Sequence, residues 1–434
     1  MTTAPCAVPG TPLAGVKAGL DACVHCGFCL QSCPTYLTLE DENDGPRGRI
    51  VLMRAVRAGT LPLGDDAVRT HLDRCLGCRA CESACPSGVP YGQLLEASRA
   101  TLAAARPRPL AVRLALGVFR RPALLRATMA TARVVRASGL ARLLARLPGR
   151  AGFAFAMLEC TRPPMPRRAY APPARGNAAR VAMLEGCVME GLFVHTNRAT
   201  ARVLAMHGYA MARAEGQRCC GALHAHAGDL EGARALARAN IAAFERSGAD
   251  RIAMNAAGCG AMCREYAHLL GDDPAWAGRA AAFSARVRDV SELVAEAGPC
   301  GPTTPLRDGA VRVAYDAPCH LLHAQRIADA PLRMLRAVPG VELVPLPNAD
   351  RCCGGAGIYG LQQPELSQAV LAPKLDEIRQ SGAAYVATGN PGCLMQIGAG
   401  LLRCGADARA VHPVDLLDAA YAADAGGLAN PGTG

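Results

Sequence analysis

Aromatic side chains make up only 4% of the 434 residues, tryptophan occurs once, and lysine occurs only at Lys17 and Lys374. No apolar run reaches the 18 or more residues of a membrane-crossing helix, because arginines interrupt every apolar stretch. The opening residues, MTTAPCAVPGTPLAG, lack the basic start and long apolar run of a secretory signal, which predicts a cytoplasmic chain. Neither a Ser–His–Asp order nor a carboxylate pair stands out as a catalytic constellation. Wholesale disorder is excluded, since 51% of the residues are hydrophobic. The length predicts two to four domains of roughly 150 residues each.

Acidic residues are absent between Glu96 and Glu159, whereas residues 106–150 carry eleven arginines. The rest of the chain balances at 36 basic and 36 acidic residues, so the net charge of +11 belongs to one stretch. Within it Leu110, Val112, Leu114, Leu116 and Val118, then Leu140, Leu143, Leu144 and Leu147, recur between arginines at partly helical spacing. A basic, acid-free amphipathic helix predicts a membrane-surface element or a docking face for a partner. Peripheral attachment to anionic lipid is the expectation. Nucleic acid is not, because no aromatic stacking platform accompanies the charge.

Cysteine is the opposite extreme, with 21 copies, an odd count. In a cytosolic setting thiols stay reduced, and clustered cysteines are read as metal ligands rather than disulfides. CVHCGFCLQSCP holds Cys23, Cys26, Cys29 and Cys33 before Pro34, and CLGCRACESACP holds Cys75, Cys78, Cys81 and Cys85 before Pro86. Both follow C-x2-C-x2-C-x3-C-P, the run that two-cluster ferredoxins use for 4Fe–4S cubanes. The fourth cysteine of such a run usually serves the other cluster. The expected ligand sets are therefore Cys23, Cys26, Cys29 and Cys85, and Cys75, Cys78, Cys81 and Cys33. Paired zinc sites are the alternative, although these usually draw two cysteine pairs from separate turns.

Residues 180–300 and 308–426 form an internal repeat. Cys187, Cys219, Cys220 and Cys259 fall opposite Cys319, Cys352, Cys353 and Cys393 at offsets of 132, 133, 133 and 134. In each copy three strand patterns alternate with helical ones: RVAMLEG, YAMARAE and RIAMNAA, then VRVAYDA, VELVPLP and AYVATGN. Helices are predicted at 190–207, 228–247, 324–337 and 364–381. This βαβαβ order implies parallel strands with right-handed crossovers. The cysteines follow strand ends, at the edge where open parallel sheets bind ligands. The predicted class is α+β and multidomain. Residues 1–103 form a helical two-cluster ferredoxin-type module and 104–179 a basic helical segment ending in a proline-rich linker, TRPPMPRRAYAPPARG. Two α/β repeats follow.

The first copy reads C-x31-CCG-x37-C-x3-C, adding Cys263, and resembles the cysteine-rich CCG domain of heterodisulfide reductases and related iron–sulfur subunits. That resemblance implies a further iron–sulfur cluster at Cys187, Cys219, Cys220, Cys259 and Cys263. In the second copy Ile397 stands where Cys263 would, so Cys319, Cys352, Cys353 and Cys393 are expected to hold none or a labile one. The whole architecture, with GPRGRI at residues 45–50, is similar to the glycolate oxidase iron–sulfur subunit family. Subunits of lactate-utilisation and anaerobic glycerol-3-phosphate dehydrogenase systems share its modules. The resemblance implies an electron-transfer subunit with FAD only on a partner that oxidises glycolate to glyoxylate, and a quinone as acceptor. The rival reading is a self-contained CCG enzyme for disulfide or quinone chemistry. GAGIYG, residues 355–360, formally fits G-x-G-x-x-G but follows a Cys-Cys turn, so no dinucleotide site is expected. His224, His226, His320 and His323 lie near the CCG cysteines as tuning groups or plain hydrogen-bonders. Cys6, Cys160, Cys300 and Cys404 fit no motif.

Overall fold

The computed structural model describes residues 6–165, 170–172, 179–298, 300–307 and 309–428. Much of the proline-rich linker lies outside the described residues, as do residues 1–5. The N-terminal part is helical, with Pro34–Leu39, Pro46–Ala58, Asp66–Asp73 and Tyr91–Ala105 as its main elements. Local chemistry sets their starts. Prolines occupy the first turn of Pro34–Leu39 and Pro46–Ala58, where no amide donor is needed. Asp65 caps the third helix by accepting from the Ala67 and Val68 amides at 2.8 and 3.0 Å. Leu13, Leu20, Met53, Leu72 and Leu94 fill the core beneath them.

The repeats form two four-stranded sheets. The first comprises β1 (Arg180–Met183), β2 (Ala210–Ala212), β3 (Arg251–Met254) and β4 (Val287–Asp289). The second comprises β5 (Val311–Tyr315), β6 (Val341–Val344), β7 (Tyr385–Ala387) and β8 (Arg409–Val411). Their orders are β2-β1-β3-β4 and β6-β5-β7-β8, and every pairing is parallel. The three strands expected in each copy are present. The fourth, β4 and β8, was not foreseen, because Arg288 and Asp289 in one and Arg409 in the other leave no apolar run to register. The helix expected at 190–207 is split at Phe193 into Cys187–Leu192 and Val194–Met206. The one expected at 364–381 is found as Pro364–Ser381.

The two copies share one apolar core, in which Val203, Val290 and Leu293 of the first meet Met334, Val414 and Leu417 of the second. Backbone hydrogen bonds tie their sheet edges: the Ala257 amide donates to the Gly389 carbonyl at 3.0 Å, and the Gly258 amide to Asn390 Oδ1 at 3.2 Å. The helical N-terminal part sits on both copies. It reaches the first through Arg79–Glu265 and Arg99–His226 carbonyl contacts, and the second through Tyr359 Oη, which donates to the Arg74 carbonyl at 2.7 Å. The basic segment forms the helices Leu110–Arg120, Pro122–Ala137 and Leu140–Leu144, followed by Gly149–Glu159.

Candidate iron–sulfur centres

The two N-terminal cysteine runs fold along the same backbone path. His25 and Gly27 in the first, and Gly77 and Arg79 in the second, all take the left-handed conformation. These turns wrap three thiols of each run around a common centre. Cys23, Cys26, Cys29 and Cys85 line one recess, and Cys33, Cys75 and Cys78 line the next. Cys81 borders both. The fourth cysteine of each run therefore lies in the recess of the other run. GPRGRI lies between the recesses: Pro46 borders both, Arg47 the first and Arg49 the second. A Cβ at Gly48 would collide with the Glu42 carbonyl, so only glycine lets this helix approach.

Arg49 was missed by sequence reasoning. Its guanidinium is wholly buried, 3.9 Å from Cys33 Sγ, and donates to Thr35 Oγ1 at 3.1 Å and the His71 carbonyl at 2.7 Å. It also pairs with Asp44, which is wholly buried and pairs with Arg74 as well. A second arginine two residues after Arg47, between Gly48 and Ile50, was the only available signal.

The donor sets suit polynuclear iron–sulfur groups. Among the described residues, only Asp41, Asp44 and His71 bring three metal-capable atoms within 4.8 Å of one another. That group is already engaged by Arg49 and Arg74. No three thiols meet so tightly, which speaks against a single zinc ion and for wider clusters. Burial pushes the Cys29 thiol up to about 11, and Cys78 and Cys81 well above the ordinary thiol range. Thiolates in these recesses need a compensating cationic centre, which iron supplies.

In the first CCG copy the cysteines converge at the carboxyl edge of the sheet. Cys187 opens the helix after β1 and shares a hydrogen bond with Cys219, sulfur to sulfur at 3.6 Å. Cys219 and Cys220 are buried on the loop after β2, and Gly221 follows at φ +90°, a turn only glycine makes without strain. The helix Ala257–Arg264, after β3, carries Cys259 and the fully buried Cys263. The neighbouring thiols of Cys187 and Cys220 hold the Cys219 thiol low, before burial opposes them, whereas both are themselves pushed up. Asn240 braces the loop, accepting from the Arg218 amide at 2.7 Å and donating to the Cys219 carbonyl at 3.1 Å.

The second copy brings Cys319, Cys352, Cys353 and Cys393 to the same edge, but the surroundings differ. Ile397 fills the place of Cys263 and is fully buried. Asp316 replaces Leu184, and Lys374 replaces Asn240. Lys374 Nζ lies 2.6 Å from Asp316 Oδ1, both side chains being 3% exposed or less, and Thr388 Oγ1 donates to Asp316 at 2.8 Å. Burial alone would lower the ammonium's pKa, but Asp316 outweighs it and Lys374 titrates above its ordinary range. One of only two lysines in the chain, at a predicted helix position, was a signal passed over. Lys374→Met should cost about 3–5 kcal/mol, because it strands a buried carboxylate. The double variant Asp316→Leu/Lys374→Met should recover most of that loss, as read from denaturant midpoints of anaerobically prepared protein.

The histidines are hydrogen-bonders at docking surfaces. His226 Nδ1 lies 3.0 Å from Glu96, His320 Nε2 3.0 Å from the Gly77 carbonyl, and His323 Nδ1 3.0 Å from Ser83 Oγ. Each joins a repeat to the helical module, while His224 pairs with Asp229 within its own copy. GAGIYG is likewise structural: Tyr359 packs with Leu76, Cys78 and Cys352. Cys78 and Cys352 thus share one apolar cluster, joining the second recess to the second CCG copy.

The 4Fe-4S dicluster domain matches residues 19–89, and the cysteine-rich CCG domain matches twice, at 181–264 and 313–398. The probable glycolate oxidase iron-sulfur subunit of Bacillus subtilis (strain 168) is 37% identical over 426 residues, covering 91% of this chain and 92% of that protein. The chain belongs to the glycolate oxidase iron–sulfur subunit family. The glycolate oxidase iron-sulfur subunit of Escherichia coli (strain K12) is 38% identical over 387 residues, covering 86% of this chain and 88% of that protein. Lactate utilization protein A of Geobacillus kaustophilus is 29% identical over 240 residues, 55% of this chain but 99% of that protein. Membership in this family makes the chain an iron–sulfur electron-transfer protein of two 4Fe–4S clusters followed by two CCG repeats. No helix among the described residues is long and apolar enough to cross a membrane.

Proposed function

We propose that this chain is the electron-transfer subunit of a glycolate dehydrogenase complex. A partner subunit bearing FAD oxidises glycolate to glyoxylate, and the electrons leave towards a quinone at the cytoplasmic face of the membrane. Cys23, Cys26, Cys29 and Cys85 hold one 4Fe–4S cluster, and Cys33, Cys75, Cys78 and Cys81 the other. Cys187, Cys219, Cys220, Cys259 and Cys263 hold a third iron–sulfur group. When bound, these groups supply one-electron transfer, chemistry that side chains alone do not offer.

One observation carries the reading. The thiol recesses run from the surface inwards: Cys26 is exposed between the exposed Val24 and Phe28, whereas Cys78 is buried against the second repeat. An exposed apolar rim beside a thiol group suits transient docking of an electron-donating partner. Deeper in, Tyr91, Leu76 and Arg49 line the second recess, where the Arg49 guanidinium, held by Asp44, lies 3.9 Å from Cys33 Sγ.

The test is anaerobic copurification followed by addition of substrate. Glycolate should bleach the iron–sulfur absorbance of the complex within mixing time, and D-lactate should do so at least about tenfold more slowly. Faster bleaching by D-lactate would move the assignment to a lactate system. Disulfide reduction by the isolated chain would favour the self-contained enzyme.

A further inference from the structure

Among the described residues fourteen large apolar side chains are exposed, and seven of them fall between Leu110 and Leu147. Leu110, Leu114, Val134 and Leu143 are each 60% exposed or more. The helix Pro122–Ala137 runs for 16 residues without one buried side chain. Between these apolar groups stand exposed arginines at 113, 121, 126, 133, 142 and 146. None of the six forms an ion pair among the described residues, and the sequence offers no acid within the segment to form one. Ordinary solvated helix faces carry arginines with acidic neighbours and bury their leucines. Here both kinds of side chain face outward together.

The opposite side of the same helices packs on both CCG copies: in the second, Ala145 meets Ala399, and Arg403 donates to the Ala145 and Leu147 carbonyls at 2.8 and 2.9 Å. Val112 and Leu116 pack on Leu223 and Ala227, just beyond the Cys219–Cys220 turn, and Phe119 packs on the core that holds Cys219, Cys220 and Cys263. Met129 seats against Gly191, in the helix that Cys187 opens, where a Cβ would not fit. Arg136 donates to the carbonyls of Thr161 and Leu192 at 2.7 and 3.1 Å. The segment thus packs against the core that holds that thiol group.

We propose that residues 110–147 dock onto an anionic phospholipid bilayer and thereby set the face of the two repeats that they cover against the lipid. The occupant follows from charge complementarity: unpaired guanidinium groups meet headgroup phosphates while the leucines enter the interface. An apolar quinone would then approach from the side on which Phe119 packs against the core that holds Cys219 and Cys220. That consequence rests on the proposed quinone acceptor; the docking itself does not.

The test uses the full chain with its clusters, quinone-free vesicles, and sedimentation. Phosphatidylglycerol vesicles should carry the chain down at low salt, and phosphatidylcholine vesicles should not. Arg113→Glu/Arg121→Glu/Arg126→Glu/Arg133→Glu should lower partitioning by more than about a hundredfold, since each surface arginine is worth about fivefold, with iron content unchanged. A depth probe is available because Trp276 is the sole tryptophan and lies in the first repeat under the Arg279 guanidinium. With brominated lipid, Leu114→Trp should be quenched and Trp276 should not. Residence in the supernatant at low salt, equal binding to neutral vesicles, or quenching of Trp276 alone would overturn the proposal. In the first case an acidic protein partner becomes the occupant. In a second arm with quinone-loaded vesicles and the prereduced chain, binding without quinone reduction would instead count against the acceptor and leave the docking intact.

Discussion

Replacing Cys33 by serine should remove about four of the chain's irons, and the cluster lost should be the one built on Cys75, Cys78 and Cys81. The physical ground is placement. Cys33 faces Cys75 and Cys78 across the recess that Arg49 borders, whereas Cys85 shares the other recess with Cys23, Cys26 and Cys29. Adding Cys78→Ser to the Cys33→Ser chain should therefore cost no further iron. Adding Cys26→Ser should cost about four more. Ligation within each run predicts the reverse: Cys26→Ser would then be silent in that background and Cys78→Ser would not. Iron and sulfide analysis, with the spectrum of the surviving cluster, reads the difference. Cys81 borders both recesses and is the wrong residue for this test, because either scheme has it damage one cluster directly.

What could be read ahead from the sequence follows the range of the interactions involved. The cubane runs are local, with four cysteines inside eleven residues and a proline behind them, so spacing alone exposes their chemistry. The repeat was legible because its cysteines stay in phase over more than 130 residues, and β1, β3, β5 and β7 because each centres on buried apolar residues. β4 and β8 were not legible: Val287–Asp289 holds two charged residues and Arg409–Val411 opens on one, so neither shows an apolar run and each depends on a neighbouring strand for its identity. Long-range docking was equally hidden. Nothing adjacent to Tyr359 announces Arg74, and nothing near His226 announces Glu96, 130 positions away. Asp44 and Arg49 are close in sequence, but their burial beside Cys33 is a tertiary fact. The basic segment was visible as charge; that its leucines stay exposed while Met129, Leu116 and Phe119 face the first repeat required the fold.

Full-length protein prepared anaerobically should hold more iron than the roughly eight of two cubanes, and Cys220→Ser should abolish the excess while Cys353→Ser leaves it. The asymmetry follows from what each repeat has built around its paired cysteines. In the first, Cys220 and Cys263 are buried in one core, Cys187 and Cys219 touch at 3.6 Å, and Asn240 and Tyr266 hold the loop by hydrogen bonds, Tyr266 Oη donating to the Cys220 carbonyl at 2.7 Å. Five thiols thus surround a braced loop. In the second, the fifth position is Ile397, and the Asn–Tyr brace is gone, since Lys374 and Gly400 occupy those places. The Asp316–Lys374 pair sits beside Cys353 and Cys393 instead, and both thiols are pushed up, first by hydrogen bonds from neighbouring cysteines and then by burial, with Asp316 adding to it. Four thiols with a buried carboxylate are a poorer host for an anionic iron–sulfur group than five without one. The decisive comparison is iron per chain in the two serine variants at equal purity. Equal losses would mean that the second repeat binds a cluster despite Ile397, and no excess in the parent chain would mean that neither repeat does. Introducing Ile397→Cys should not rescue binding by itself; only with Asp316→Leu and Lys374→Asn, which remove the buried ion pair and return the asparagine of the brace, should the second repeat gain iron.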